Sequence, residues 1–250
     1  MKTIAILNHK GGTGKTTSAL NIGAGLARLK KKTLLVDIDP QSNLTEGLGI
    51  RDVETSIYES LSDVKYKTPL PIQKISEYLH IIPSSLDLLG AELELVSRPN
   101  RERIFATLLE PLKKIYDYII IDCPPALGML TMNALVPCDT VLVPLEADFY
   151  SYRGIDRLVT IIETVQLHFN PTLAIGGVFI TKCNPQRLLT KSITESVKKH
   201  FNDTLFKTII RVNVDLAEAP VSGKDIFNYA PTSNGAKDYS DLVDELLTKI

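Results

Sequence analysis

The sequence predicts an α/β fold: a single domain over residues 1–250, built on a mostly parallel sheet with helices on both faces. Three observations predict it. Apolar strand-like runs alternate with helical stretches from one end of the chain to the other. Runs such as Ile119-Ile120-Ile121 are apolar at consecutive positions, as expected of a strand covered on both faces. The 250 residues can bury a sizeable core as one unit, and no low-complexity linker or internal repeat divides them.

In chain order, Thr3-Ile4-Ala5-Ile6-Leu7 opens a strand over 3–8, which runs through a glycine-rich loop into a helix over 15–30. Leu34-Leu35-Val36 marks a strand over 33–37, closed by Pro40. A helix over 54–62, a strand over 78–82 and helices over 86–97 and 100–114 follow. Tyr118 to Ile121 forms the heart of a strand over 117–122. Beyond it come a helix over 128–136, a strand over 139–144, a helix over 152–168 and a strand over 174–181. A helix over 189–201, a strand over 205–210 and a helix over 234–249 complete the alternation. The last helix carries Asp238, Asp241, Asp244 and Glu245, an acidic face unsuited to an anionic membrane, so its apolar residues are expected to pack on the sheet.

With 28 Lys and Arg against 29 Asp and Glu, the formal charge is -1, which excludes a global basic field that would draw the chain onto nucleic acid or lipid. Any such contact must come from a local patch. Cys123, Cys138 and Cys183 form no C-x-x-C pair and lie in or beside apolar runs, which fits buried thiols in a reducing cytosol. The four histidines share no metal-ligand spacing. No apolar run reaches membrane-spanning length and none resembles a signal-peptide core, so a soluble protein is expected.

The most informative stretch is Lys10-Gly11-Gly12-Thr13-Gly14-Lys15-Thr16-Thr17. Closely spaced glycines let successive backbone N–H groups converge on phosphate oxygens, and a helix starting near Lys15 adds the positive end of its dipole. Lys15 would neutralise the β and γ phosphates, and the Thr16 hydroxyl would complete a Mg²⁺ shell. The usual phosphate-loop pattern wants a glycine five residues before Gly14; His9 stands there, and an extra lysine, Lys10, follows it. A plain turn between strand and helix requires neither the Lys-Thr-Thr at the helix start nor a second lysine facing the loop.

Acids match the loop. Asp37 and Asp39 end one strand, their spacing of two placing them on one side of an extended chain. Asp122 ends another, well placed to hold Mg²⁺ through a coordinated water. All should gather beyond the carboxyl ends of the strands, where ligands of such sheets bind.

These residues carry a resemblance. The loop, Asp37-Ile38-Asp39-Pro40-Gln41-Ser42-Asn43, Ile121-Asp122-Cys123-Pro124-Pro125 and Asn213-Val214-Asp215-Leu216-Ala217-Glu218-Ala219-Pro220 with Gly223-Lys224 resemble the ParA/MinD family of deviant Walker ATPases, and within it the short Soj-like partition ATPases. The resemblance spans nearly the whole chain. It implies a Mg²⁺-dependent ATPase that forms a homodimer around two ATP molecules, with Lys10 crossing to the partner's phosphates and Lys15 binding its own. It implies that Asp39 orients the attacking water, that Asp122 is the Walker B acid and that Asp37 is a supporting or Mg²⁺-proximal group. It also implies that Asn213 and the backbone near Arg211 contact adenine. It further implies a cytoplasmic, nucleoid-associated protein whose ATP dimer binds DNA without sequence preference and segregates a plasmid or chromosome with a ParB-type partner that stimulates hydrolysis. Arg187, Lys191, Lys198, Lys199, Arg211 and Lys224 are the candidate DNA contacts, a solvated helix face being the commoner fate of scattered lysines. Asp215 stands where relatives commonly carry an arginine, and Arg187 lies one place from the arginine it would align with. A MinD-like membrane ATPase, an ATPase that positions a protein cluster and a non-enzymatic nucleotide sensor are the alternatives.

Overall fold

The computed structural model describes residues 1–146, 155–183, 197 and 201–250. Its strands are β1 (Lys2–Ile6), β2 (Thr33–Asp37), β3 (Gln73–Lys74), β4 (Leu79–Ile82), β5 (Tyr118–Asp122), β6 (Thr140–Glu146), β7 (Ala174–Cys183) and β8 (Leu205–Arg211). They form one sheet in the order β3-β4-β2-β5-β1-β6-β7-β8. Every neighbouring pair is parallel except β3 and β4, so the sheet is mostly parallel with one antiparallel edge.

The described α-helices are α1 (Lys15–Arg28), α2 (Asn43–Gly47), α3 (Ile57–Ser62), α4 (Leu88–Val96), α5 (Ile104–Leu109), α6 (Met129–Leu135), α7 (Ile155–His168), α8 (Asp215–Glu218), α9 (Ile226–Tyr229) and α10 (Asn234–Lys249). The consecutive apolar residues of the strands divide between two cores. Ile119 and Ile121 join Leu34, Val36 and Val141 in a cluster with Leu88, Phe105, Leu130 and Leu158 from α4 to α7. Ile120 joins Ile4, Ile6, Leu35 and Leu142 in a second cluster with Leu20 and Leu26 of α1 and Leu242 and Leu246 of α10. Period-two alternation thus sends neighbouring isoleucines to opposite faces, and full burial of each contributes about 1.5–3 kcal/mol. The apolar face of α10 is consumed in this way, with Tyr239, Leu242, Val243 and Leu246 all buried. No helix among the described residues is long and apolar enough to cross a membrane.

The departures from expectation are local and have local causes. The first strand stops at Ile6 because Asn8 leaves the ladder, its side-chain amide donating to the Pro144 carbonyl at 2.7 Å. The helix expected from 54 starts at Ile57, where Ser56 and Glu59 form a capping box. The single helix expected over 100–114 is instead a 3-10 turn at Arg101–Arg103, α5 and a second 3-10 turn at Glu110–Lys114. Pro111 breaks it, since it offers no N–H and crowds the preceding turn. The strands end one or two residues later than expected at Glu146, Cys183 and Arg211. β3, α2, α8 and α9 had no counterpart in the expectation; each is too short to show a period. Residues 152–154 and most of the helix expected over 189–201 lie outside the described residues.

Candidate functional site

The loop that leaves β1 is tied to the neighbouring strands at several points. Asn8 bonds to β6 as above and accepts from the Lys10 backbone N–H at 3.0 Å. The Thr181 hydroxyl at the end of β7 donates to the Thr13 carbonyl at 2.8 Å. Between these anchors Gly12 and Gly14 take left-handed backbone angles, φ 76° and 87°, which only glycine adopts at little cost. Gly14 then caps α1 with no side chain bonded to the helix start, leaving its first N–H groups directed at the loop. Lys15, almost fully buried, donates from Nζ to the Lys10 carbonyl at 3.2 Å. Burial lowers its pKa, an effect only partly opposed by neighbouring Asp122, Cys123 and Asp39.

The acids arrive from the strands beside β1. Asp37 and Asp122 are register partners at the ends of β2 and β5, and Ile6 of β1 lies level with Asp122. Asp37 is fully buried and its oxygens are occupied: Oδ2 accepts from the Thr45 N–H and hydroxyl at 2.9 and 2.7 Å, and Oδ1 from the Asp39 N–H at 3.2 Å. Burial raises its pKa to about 6 against those bonds. Both oxygens of Asp122 are buried without a hydrogen-bond partner. Burial, then the charge of Asp37, raises its pKa well above the ordinary carboxylate value. Asp39 lines a cavity, with Oδ1 accepting from the Gln41 N–H at 3.0 Å.

The expectation that Asp37 and Asp39 lie on one side of an extended chain is therefore corrected. The strand ends at Asp37, and the bond from the Asp39 N–H back to Asp37 turns the chain there, so only Asp39 faces the cavity.

Two cavities adjoin at the carboxyl ends of the strands. One, of about 460 Å³, is walled by Gly11, Gly12, Gly14, Lys15, Thr16 and Thr17 of the loop together with Asp39. The other, of about 550 Å³ and mainly apolar, is walled by Ile210 to Val214, Leu216 and Tyr239. Gly14, Thr17, Lys182, Leu216 and Ala217 belong to both. Arg211 and Asn213 both line the second cavity. The Arg211 guanidinium is itself bound to Asp238 at 2.6 Å, and Asn213 Oδ1 accepts from the Leu216 N–H at 3.2 Å. Lys10 lines neither cavity; its Nζ lies 3.4 Å from Glu146. Lys224 is exposed, while Arg187, Lys191, Lys198 and Lys199 lie outside the described residues. Sequence reasoning missed Lys182, Thr45 and Thr181. A lone lysine or threonine at a strand end forms no pattern; only the positions of their neighbours in the fold give them a role.

A glycine loop joining a central strand to a helix, with an acid at the end of the adjacent strand and a two-lobed cleft above, defines a P-loop nucleotide-binding fold. A family model for an AAA domain matches residues 1–175. The chain is similar to the sporulation initiation inhibitor protein Soj of Bacillus subtilis, 46% identical with 98% of each chain covered. It is similar also to the chromosome partitioning protein ParA of Myxococcus xanthus, 41% identical over 99% of this chain and 88% of that protein. Among solved structures it resembles a putative plasmid partition protein of Borrelia burgdorferi bound to AMPPNP, with a TM-score of 0.83 at 27% identity, covering 100% of this chain and 99% of that one. It also resembles cobyrinic acid a,c-diamide synthase of Mycobacterium smegmatis with an ATP analogue and magnesium, with a TM-score of 0.82 at 30% identity, covering 99% and 94%. The chain belongs to the ParA/MinD family, in its Soj-like branch.

The unpartnered carboxylate of Asp122 yields a test. Its pKa in the folded chain lies above the ordinary 3.8, so it destabilises the fold increasingly as pH rises from that value through the folded one. Asp122→Asn without nucleotide should raise stability at pH 8 by about 1–3 kcal/mol, with a smaller gain at pH 5, as read from urea unfolding midpoints.

Proposed function

We propose that this chain is a Mg²⁺-dependent ATPase that dimerises around ATP, binds DNA without sequence preference as the ATP dimer, and drives plasmid or chromosome partition with a ParB-type stimulating partner. It would work in the cytoplasm, associated with the nucleoid. The observation that carries the reading is the different placement of the two loop lysines. Lys15 lines the loop-side cavity, whereas Lys10 stands outside it against Glu146. Both members of that pair are partly exposed, so this one contact contributes only about 0–1 kcal/mol and does not by itself hold the ammonium away from a facing phosphate. A cation placed outside its own cavity suits a nucleotide held by a second copy, and links pairing of the chains to the γ-phosphate.

Thr16 and Asp122 fit Mg²⁺. A buried carboxylate with no partner is the group a cation with its water shell would satisfy, and the ion would add positive charge beside the β and γ phosphates. Lys15 would neutralise the same phosphates from within the loop, and the mainly apolar cavity near Arg211 and Asn213 would take adenine. Asp39, facing the loop-side cavity with one oxygen committed to Gln41, would orient the attacking water. Asp37 would support it from below, since its oxygens are spent on Thr45 and the Asp39 N–H. The relatives named for partition support the cargo class. The packed apolar face of α10 supports DNA rather than a membrane as the surface bound.

Lys10→Ala should bind ATP with near wild-type affinity yet remain monomeric by light scattering, while the wild type dimerises with ATP and not with ADP. Asp39→Ala should form an ATP dimer that persists, with turnover reduced about a hundredfold or more in a phosphate-release assay. Wild-type protein should shift unrelated DNA fragments with ATP but not with ADP. Raising the salt or substituting Arg187→Glu with Lys191→Glu should abolish that shift, as expected of phosphate contacts.

A further inference from the structure

Lys182 occupies an unusual place on the strand that anchors the loop. Between Ile180 and Cys183 β7 advances three residues while β8 advances two, from Ile209 to Arg211. This is a β-bulge, a device that re-aims a side chain. Within it Lys182 takes a left-handed backbone angle, φ 48°, though it is not glycine. Such a conformation costs on the order of 1–2 kcal/mol and persists only where the surroundings impose it. The surroundings do so here: Thr181 before it and Cys183 after it are buried, and the Thr181 hydroxyl is bonded to the loop. The lysine between them is exposed, and its Nζ stands 3.9 Å from the point a Cβ would occupy on Gly12.

Lys182 also belongs to the walls of both cavities, so it lies where the loop-side lobe meets the apolar one. A nucleoside triphosphate laid along the cleft has its base in the apolar lobe and its terminal phosphate over Lys15. The part that crosses the junction carries the inner phosphates. We propose that Lys182 is a nucleotide-binding residue that contacts the α and β phosphates in the same chain, a cation separate from Lys15 and from Lys10. This rests on the nucleotide reading of the cleft and adds a residue to it. The inner phosphates are common to ATP and ADP, so the contact holds the nucleotide before and after hydrolysis and does not report the γ-phosphate. The bulge keeps the lysine on the loop; on a regular strand, alternation from the buried Thr181 would send it across to the opposite face of the sheet.

Titration calorimetry of MgATP, MgADP and adenosine into wild-type protein, Lys182→Ala and Lys182→Arg tests the assignment. Lys182→Ala should weaken MgATP and MgADP by a similar factor of about ten, the measure of one charge-assisted contact, and leave adenosine unchanged. Lys182→Arg should recover most of the loss, which a purely structural role would not require. Equal affinities for the wild type and Lys182→Ala, a loss confined to MgATP, or an equal loss for adenosine would each overturn the assignment while leaving the cleft a nucleotide site. Failure of the wild type to bind either nucleotide would overturn the reading of the cleft itself. Matching thermal melts of the three proteins without ligand would assign any lost affinity to the contact and not to the fold; a large drop for Lys182→Ala with no recovery in Lys182→Arg would make the residue structural and overturn the proposal.

Discussion

A carboxylate with no hydrogen-bond partner, buried at the centre of the sheet, is the constraint around which the site is arranged. Asp122 ends the strand between β1 and β2, so it is surrounded by paired backbone on either side and by a covered face above and below. A buried polar group without a partner costs about 1–3 kcal/mol, and more when it is charged. The nearby Thr16 hydroxyl, and after it Lys15, offset part of that cost, and Lys15 too is desolvated, its ammonium held by one carbonyl of the loop. A carboxyl group and an ammonium are thus kept in a poorly solvated place with neither fully satisfied. That arrangement weakens the empty protein and leaves both groups ready for a polyanion and its counter-ion.

The same pressure explains why Asp37 and Asp122 behave differently though they are register partners. Adjacent buried carboxylates repel: Asp37 raises the cost of ionising Asp122, and Asp39 that of ionising Asp37. The chain relieves one of them by wrapping α2 around it, so that Thr45 supplies two donors to Asp37. Thr45 in turn accepts from the Ser84 N–H at 3.0 Å, and the Ser84 hydroxyl donates to the Asp39 carbonyl at 2.6 Å. The acid facing the cavity is therefore held by a network that starts from the acid beneath it. Rigidity at Asp39 comes from satisfying Asp37.

The sequence carried most of the architecture because both faces of the sheet are covered. Ile119, Ile120 and Ile121 could be read as a strand without knowing their partners, since double burial leaves few alternatives to an unbroken apolar run. The shape of the loop was equally legible, for Gly12 and Gly14 take backbone angles that only glycine adopts at little cost. What escaped was of two kinds, element boundaries and features made by more than one strand. Pro111 inside the helix expected over 100–114, and the Ser56 to Glu59 capping box inside the one expected from 54, mark boundaries that apolar spacing alone does not. The spacing of Asp37 and Asp39 misled because it assumed an extended chain beyond the point where the strand ends. Lys182 had no signal at all: a bulge is a property of two strands together, and one strand's residues do not disclose it.

The weak pair of Lys10 with Glu146 gives the proposed dimer its dependence on nucleotide. Were Lys10 buried in a tight pair, breaking it would cost about 3–5 kcal/mol, and the γ-phosphate would have to overcome that before any gain. Were it wholly unrestrained, ordering its long side chain at the interface would consume part of the gain. Glu146, a partly exposed carboxylate 3.4 Å away, is one of the groups near the ammonium, and this pair by itself costs little to break. The more highly charged phosphate then wins when a second copy presents it, and Glu146 recovers the lysine once that charge is gone. In the proposed reading the γ-phosphate presented by a second copy competes for the Lys10 ammonium with the groups that hold it in the single chain, Glu146 among them.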